Sequence, residues 1–399
     1  MSRTQELISI AEEYGAHNYH PLPVVLSRSE GPWVWDIDGK RYLDCLSAYS
    51  AVNQGHRHPR IVQALKDQLD RLDLTSRAFH NDRMGGFLKK LCEHTGFQSA
   101  LPMNTGAEAV ETAIKLARRY AYERRGVQKD KAEIIVCREN FHGRTTTIVG
   151  FSSDPSAHEG YGPVTPGFIL IPFDDLDALE AAINKNTAAF LVEPIQGEAG
   201  VKVPKDGYLA GARKKCTDYG ILFMLDEVQT GFGRTGKRFC YMHEDARPDV
   251  LIVGKALGGG LYPVSAVLAD KKYMDIFTPG THGSTFGGNP LASAVGTAAL
   301  EVLEDEKLDE RSARLGKRFM DGLRAIRSPK IKEVRGKGLL VAIELKKEAG
   351  PAYDLCLKLK ERGILVKDTH QTTIRFAPAL TIDEKDLDMI VASVQDALG

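Results

Sequence analysis

No sign of charge dominates this sequence: 53 lysines and arginines balance 53 aspartates and glutamates over 399 residues. A chain without a net field has nothing to draw it to nucleic acid or to a membrane surface. Long apolar runs are missing too, and those present are far too short to span a bilayer. The six cysteines are scattered, with no C-x-x-C pair. That argues against disulfide frameworks and zinc sites and fits a reducing cytoplasm. Repeats, low-complexity segments and charged tails are absent. The opening MSRTQELISIAEEYG carries acids early and has no apolar core, so no secretory or mitochondrial presequence is expected there. What remains is ordinary bulk. The 43% hydrophobic content supports a sizeable core, and the length suits two domains, or one large domain with an appendage.

The most informative stretch runs from LFMLDEVQTG to LIVGKALGGG. Leu222 to Leu225 form an apolar run that ends in Asp226, Glu227, Val228 and Gln229. Leu251 to Val253 form another, ending in Gly254, Lys255 and a glycine cluster. Short apolar runs with polar ends are the pattern of buried parallel strands. Open α/β sheets bind ligands at the carboxyl ends of such strands. Asp226, Gln229 and Lys255 are therefore expected in one pocket. An acid, an amide and a lysine converging there suit pyridoxal phosphate: the lysine forms a Schiff base and the acid keeps the pyridinium nitrogen protonated. A buried lysine loses its charge readily, which favours that chemistry. The plainer readings are a solvated lysine, and a metal pair or helix cap at Asp226-Glu227. Two apparent phosphate motifs fail. Gly231 to Gly236 match G-x-G-x-x-G, but no apolar helical period follows. Gly254-Lys255 resembles the end of a P-loop, yet Asp249 and Ala256 stand where glycine and Ser/Thr are needed.

Taken in order, residues 5 to 14 read as a short helix, and GAHNYHPLPVV as a loop. WVWDIDGKRYLD reads as a hairpin around Asp38-Gly39. His56 and His58 lack Cys or carboxylate neighbours in sequence and read as a turn before Pro59. Residues 59 to 73 and 82 to 95 read as amphipathic helices. Asn104, Thr105 or Gly106 can cap the helical period at Val110, Ala113, Ile114, Ala117 and Tyr120. The free N–H groups of that helix start make an anion site, or the segment is simply an ordinary capped helix. AEIIVC and AAFLVEP are buried strands, ending near Phe141 and at Glu193. Phe141 could stack on a flat ring or merely pack, and Arg144 could grip a carboxylate. Strand and helix alternate through this region, which predicts a mostly parallel, doubly wound sheet. YPVSAVLAD is a further strand, and THGSTFGGNP a loop. Residues 291 to 326 are helical nearly throughout. VRGKGLLVAIEL reads as a strand pair, 352 to 362 as a helix, ILVKD and TIRFAPAL as strands, and 383 to 398 as a helix. Arg375 lies inside an apolar strand, and a buried arginine needs an anion.

Assembled, these residues resemble the class-III aminotransferases of the pyridoxal phosphate fold type I. The blocks are LSAYSAVNQGHRHP, LPMNTGAEAVETA, NFHGRT, VEPIQGEAGV, DEVQTGFGRTG, GKALGGGLYPVSAV and HGSTFGGNPLA. They run over nearly the whole chain, and the first three as a set are similar to the ornithine-acting branch. The resemblance implies a large domain with a mostly parallel doubly wound sheet and a smaller C-terminal α/β domain. Residues 1–45 are expected to pack with the small domain, 46–290 to form the large one, and 291–399 to supply a linking helix and the small one.

It also implies roles. Lys255 carries the cofactor and moves a proton, Asp226 pairs with the ring nitrogen, and Gln229 with the phenolic oxygen. Phe141 stacks on the ring, and Gly106 and Ala107 hold the phosphate. Ala107 is a mild departure, since another small residue often stands there. Thr285 would reach the phosphate of a neighbouring subunit, implying at least a homodimer with shared active sites. Tyr19 and Arg144 hold the α-amino and α-carboxylate groups of ornithine, and Tyr49 lines the pocket. Glu198 pairs with Arg375, which takes glutamate or 2-oxoglutarate once the glutamate side chain swings away. His142 departs from relatives that carry tryptophan there. The reaction implied moves the δ-amino group of L-ornithine to 2-oxoglutarate. The nearest alternative is an acetylornithine or 4-aminobutyrate aminotransferase. A semialdehyde aminomutase would not need the Glu198 and Arg375 switch, and a non-catalytic cofactor-binding module would not need both arginines.

Overall fold

The computed structural model describes residues 2–399. Near the start, β1 (Leu26–Glu30), β2 (Trp33–Asp36) and β3 (Arg41–Asp44) form an antiparallel meander. The β2–β3 turn closes as the Asp-Gly pair predicts. Gly39 takes φ +85°, a left-handed value that costs glycine little, and Asp36 Oδ1 accepts the N–H groups of Asp38 and Lys40. A less expected turn follows. Ser47, Ala48, Tyr49 and Ser50 all have positive φ, a conformation that costs roughly 1–2 kcal/mol per L-residue. Asp44 anchors its entrance: Oδ1 accepts from Leu46 N and Ser47 N at 2.9 Å each, while His56 Nε2 holds Oδ2 at 2.8 Å.

The centre of the molecule is built from β4 (Ser99–Met103), β5 (Glu133–Cys137), β6 (Phe168–Ile171), β7 (Thr187–Val192), β8 (Leu222–Asp226), β9 (Val250–Val253) and β10 (Ser265–Ala269). They lie in the order β4-β10-β9-β8-β7-β5-β6. The five strands from β6 to β9 are parallel, and β10 is antiparallel to both its neighbours. Every residue of β7 to β10 is buried, because a parallel sheet is covered on both faces. Ile134, Val136, Leu191, Met224 and Ile252 pack under the helix Gly106–Arg124. Their neighbours Ile135, Phe190, Phe223, Leu225 and Leu251 face the opposite core, with Leu209, Ala212 and Val295. The expected doubly wound sheet is therefore present. Its two edge strands, β4 and β6, are not among the strands expected from the sequence, although β6 is the apolar run Phe168-Ile169-Leu170-Ile171. Pro102 inside β4 explains one of them, since proline lacks a donor and is tolerated at a sheet edge.

The C-terminal part holds β11 (Ile331–Lys337), β12 (Leu340–Leu345), β13 (Ile364–Leu365), β14 (Lys367–Thr369) and β15 (Thr373–Phe376). A third sheet has the order β11-β12-β15-β14. The segment ILVKD, expected as one strand, is two. Ile364 and Leu365 pair in parallel with β3, whereas Lys367 to Thr369 pair antiparallel with β15. The long helical region after residue 290 also divides, into Pro290–Asp305 and Leu308–Ala325, where Lys307 takes φ +48°. Among the described residues, no helix is long and apolar enough to cross a membrane.

Candidate active site

The carboxyl ends of β5, β7, β8 and β9 deliver side chains to one cavity of roughly 190 Å³. Asp226, the last residue of β8, is 6% exposed. Its Oδ1 accepts from Val228 N at 3.1 Å, and His142 Nδ1 donates to its Oδ2 at 2.7 Å. Lys255 lies just beyond β9 at φ +45°, in a short 3₁₀ turn. Burial lowers its pKa; Glu198 opposes that and Arg375 adds to it. Gln54 supports this turn, its Nε2 donating to Ala256 O at 3.0 Å.

A third wall is the start of the helix Gly106–Arg124. Thr105 caps it: Oγ1 accepts from Glu108 N, and Glu108 Oε2 returns to the N–H groups of Thr105 and Asn104 at 2.7 and 3.0 Å. This reciprocal arrangement leaves the N–H groups of Gly106 and Ala107 as the free donors of the first turn. Both residues line the cavity. A Cβ on Gly106 would press on Val228 at 3.1 Å, and one on Gly143, at φ +131°, would meet Ala107 Cβ at 2.8 Å. The cradle therefore depends on missing side chains.

Phe141 and His142 form the wall opposite. Beyond them a second cavity of about 280 Å³ is lined by Arg144, Asp154, Glu198 and His370. Arg144 also lies over the Phe141 ring, 5.5 Å from its centroid. Glu198 borders both cavities. Its Oε1 accepts from Arg375 Nη1 at 2.7 Å and from Gln229 Nε2 at 3.2 Å. Burial pushes the Glu198 carboxyl upward, but the Arg375 guanidinium outweighs it and holds the group below its ordinary range. Arg375 is 2% exposed, also donates to Gly197 O at 3.1 Å, and lies 5.0 Å from the Tyr49 ring centroid. Gln229 packs so closely on Gly197 that a Cβ there would fall 1.4 Å from Gln229 Oε1. That oxygen has no partner among the described residues.

The structure thus brings together Lys255, Asp226, Gln229, Phe141, Gly106, Ala107 and Glu198 around the first cavity, Arg144 on the second, and Arg375 and Tyr49 behind Glu198. Tyr49 enters through its ring on Arg375 and its carbonyl, 3.4 Å from Gln229 Nε2. Tyr19, 71% exposed, and Thr285, also exposed, line neither cavity. Two further acids separate clearly. Glu227 points into the protein, with its oxygens taken by Cys240 N, Tyr241 N and Thr230 Oγ1; burial raises its pKa to about 7. Glu193 faces the cavity, accepts from Phe141 N at 2.9 Å, and is pushed up to about 8 by burial. Glu193 and the His142 contact carry no assigned role in the sequence, although Glu193 directly follows β7 and Asp226 ends β8. Gly231 to Gly236 form no open cradle: a Cβ on Gly233 would meet Asp309 N at 3.2 Å, and one on Gly236 would meet Ala313 Cα at 2.9 Å.

An acid, an amide, a lysine of lowered pKa, an aromatic wall and a helix N-terminus fit a flat, phosphorylated pyridine. Comparison with known proteins agrees. The family profile described as aminotransferase class-III matches residues 14–398. The ornithine aminotransferase of Brevibacillus brevis is 56% identical over 398 residues, covering 100% of this chain and 99% of that one. An ornithine aminotransferase from Toxoplasma gondii, whose structure is described with partial occupancy of PLP at its active site, superimposes with a TM-score of 0.98. It is 46% identical and covers 99% of this chain and 94% of that one. An acetylornithine aminotransferase from Elizabethkingia anophelis superimposes with a TM-score of 0.90 at 50% identity, covering 100% and 99%.

Proposed function

The chain belongs to the class-III aminotransferases, and from that premise we propose that it transfers the δ-amino group of L-ornithine to 2-oxoglutarate. The products are glutamate and glutamate-5-semialdehyde, which cyclises to pyrroline-5-carboxylate. When bound, pyridoxal phosphate supplies an electron sink for the carbon that loses its proton. Lys255 Nζ takes that proton and returns it, a task helped by a pKa lowered through burial. Asp226 holds a proton at the ring nitrogen, and Gln229 turns its amide to the ring oxygen. Gly106 and Ala107 N–H groups hold the phosphate at the helix start, and Phe141 covers one ring face.

Arg144 and Tyr19 take the α-carboxylate and α-amino groups of ornithine, with Tyr49 as a wall. That leaves the δ-amine to reach the cofactor. Glu198 meanwhile occupies Arg375, which is released to glutamate or 2-oxoglutarate. The Arg375–Glu198 pair at 2.7 Å, with its guanidinium buried and its carboxylate bordering the cavity that contains Lys255, is the observation that carries this reading. Thr285 serves the phosphate of a neighbouring copy, which makes the working unit at least a homodimer. The same reading divides the chain into 1–45, 46–290 and 291–399, supported by the β3–β13 pairing and the separate C-terminal sheet. It places the protein in the cytoplasm, in keeping with six free cysteines.

The test is to mix the holoenzyme with ornithine, N-acetylornithine or 4-aminobutyrate and to follow the visible absorption of the bound cofactor. Ornithine is expected to bleach it fastest. Faster bleaching by N-acetylornithine would replace this reading with the acetylornithine one.

A further inference from the structure

The dipeptide Phe141-His142 is held by two carboxylates from adjacent strands. Glu193, directly after β7, accepts from Phe141 N at 2.9 Å, and Asp226, ending β8, accepts from His142 Nδ1 at 2.7 Å. The His142 side chain is 0% exposed, so this contact is shielded from water. Because a carboxylate faces Nδ1, that nitrogen must carry a hydrogen. Nε2 has no partner among the described residues. Burial opposes charge on the ring, but the hydrogen bond to Asp226, with Glu193 nearby, raises its pKa overall. Each oxygen of Asp226 therefore has a fixed donor, Val228 N on Oδ1 and His142 on Oδ2. Without His142, only one backbone N–H would orient this carboxylate.

We propose that His142 is a positioning residue for the reaction: it fixes the orientation of the Asp226 carboxylate and thereby its grip on the proton at the cofactor ring nitrogen. This rests on the reading of Asp226 given above. It concerns a side chain that touches the acid and forms part of the cavity wall.

The experiment compares holoenzymes carrying His142→Phe, which keeps a ring without the donor, and His142→Asn, which keeps a short donor. Both are also made in an Asp226→Ala background. His142→Phe is expected to slow the ornithine half-reaction by about ten- to a hundredfold, the worth of a charge-assisted hydrogen bond. KM should hold within about twofold. The pH midpoint of the visible band should move by about one unit. His142→Asn should recover most of the rate and the midpoint. With Asp226→Ala already present, His142→Phe should add nothing.

Three results would overturn the proposal. One is an unchanged band and rate in His142→Phe. Another is a loss that adds in full to that of Asp226→Ala. The third is an equal fall in thermal stability with and without cofactor, with no change in the band, which marks packing alone. If Asp226→Ala by itself leaves the band and rate intact, the reading of Asp226 fails first, and this inference falls with it.

Discussion

Among the described residues two arginines are buried, and they are held in opposite ways. Arg375, 2% exposed, is paired with a side-chain carboxylate, Glu198, which itself borders both cavities. Arg234, 0% exposed, has no carboxylate within salt-bridge distance among the described residues. Its Nη1 donates to Leu339 O and Pro378 O at 3.0 and 2.7 Å, and its Nη2 to Asn53 Oδ1 at 2.6 Å. Burial brings its pKa down to about 9, with Asp44 pulling the other way. Backbone carbonyls cannot leave a guanidinium without breaking the chain's path, whereas a carboxylate on a rotatable stem can. Arg234 therefore rivets three segments, whereas the carboxylate partner of Arg375 sits on a stem that can rotate. Burial alone does not mark a ligand site; the kind of acceptor does.

The largest effect expected from this contrast is on stability. Arg234→Met strips donors from Leu339 O, Pro378 O and Asn53 Oδ1, at about 1–3 kcal/mol for each orphaned acceptor. Urea unfolding of the cofactor-free protein should show it. Arg375→Met should cost less, because the Glu198 side chain remains 28% exposed and can be hydrated. Equal losses would erase the distinction.

Next, Arg375→Ala should slow the half-reactions with glutamate and 2-oxoglutarate by about a hundredfold while largely sparing ornithine, as loss of a bidentate carboxylate grip predicts. Stopped-flow traces with each substrate check it, and equal slowing would make Arg375 a second rivet. Smaller again, Glu198→Ala should raise the glutamate rate by about tenfold and let ornithine react at its α-amine, since the competing ion pair is gone. Product analysis separates the two amines.

The smallest effect, taken per unit of pH, concerns proton binding. Glu193 has a folded pKa near 8, so between the ordinary carboxylate range and about 8 the folded state holds a proton that the unfolded state lacks. Stability should therefore fall as pH rises through that window, by of the order of 1 kcal/mol per unit at most. Glu193→Gln should flatten the slope, which denaturation at several pH values would reveal.

Much of the site was readable in sequence because buried parallel strands announce themselves. Asp226, Glu193 and Lys255 each follow an apolar run with no polar break, and the strand end places them on one edge. The helix start was readable to within Asn104, Thr105 and Gly106, and the structure makes Thr105 the cap, with Glu108 three residues away. What escaped depends on distant segments. His142 and Asp226 are 84 positions apart, and nothing local to either signals the contact. β4 was hidden by Pro102, tolerated only because the strand is at an edge. The positive φ values at Ser47–Ser50 and Lys307 belong to residues that ordinarily avoid them, so surrounding contacts, not local preference, decide them. ILVKD reads as one strand because its two pairing partners, β3 and β15, lie on different sheets.

That division ties the two ends of the chain mechanically. A single residue, Val366, separates Leu365, bonded to the N-terminal meander, from Lys367, which stands in register with Arg375. Tyr49 follows that meander by a few residues and rests its ring on the same guanidinium. The anchor of the meander and the register of Arg375 thus share one short piece of chain, while Gln54, donating to Ala256 O at 3.0 Å, fastens the segment after Tyr49 to the turn that carries Lys255. The stretch works as a splice: slack introduced at Leu365 would pass directly to the strand paired with Arg375.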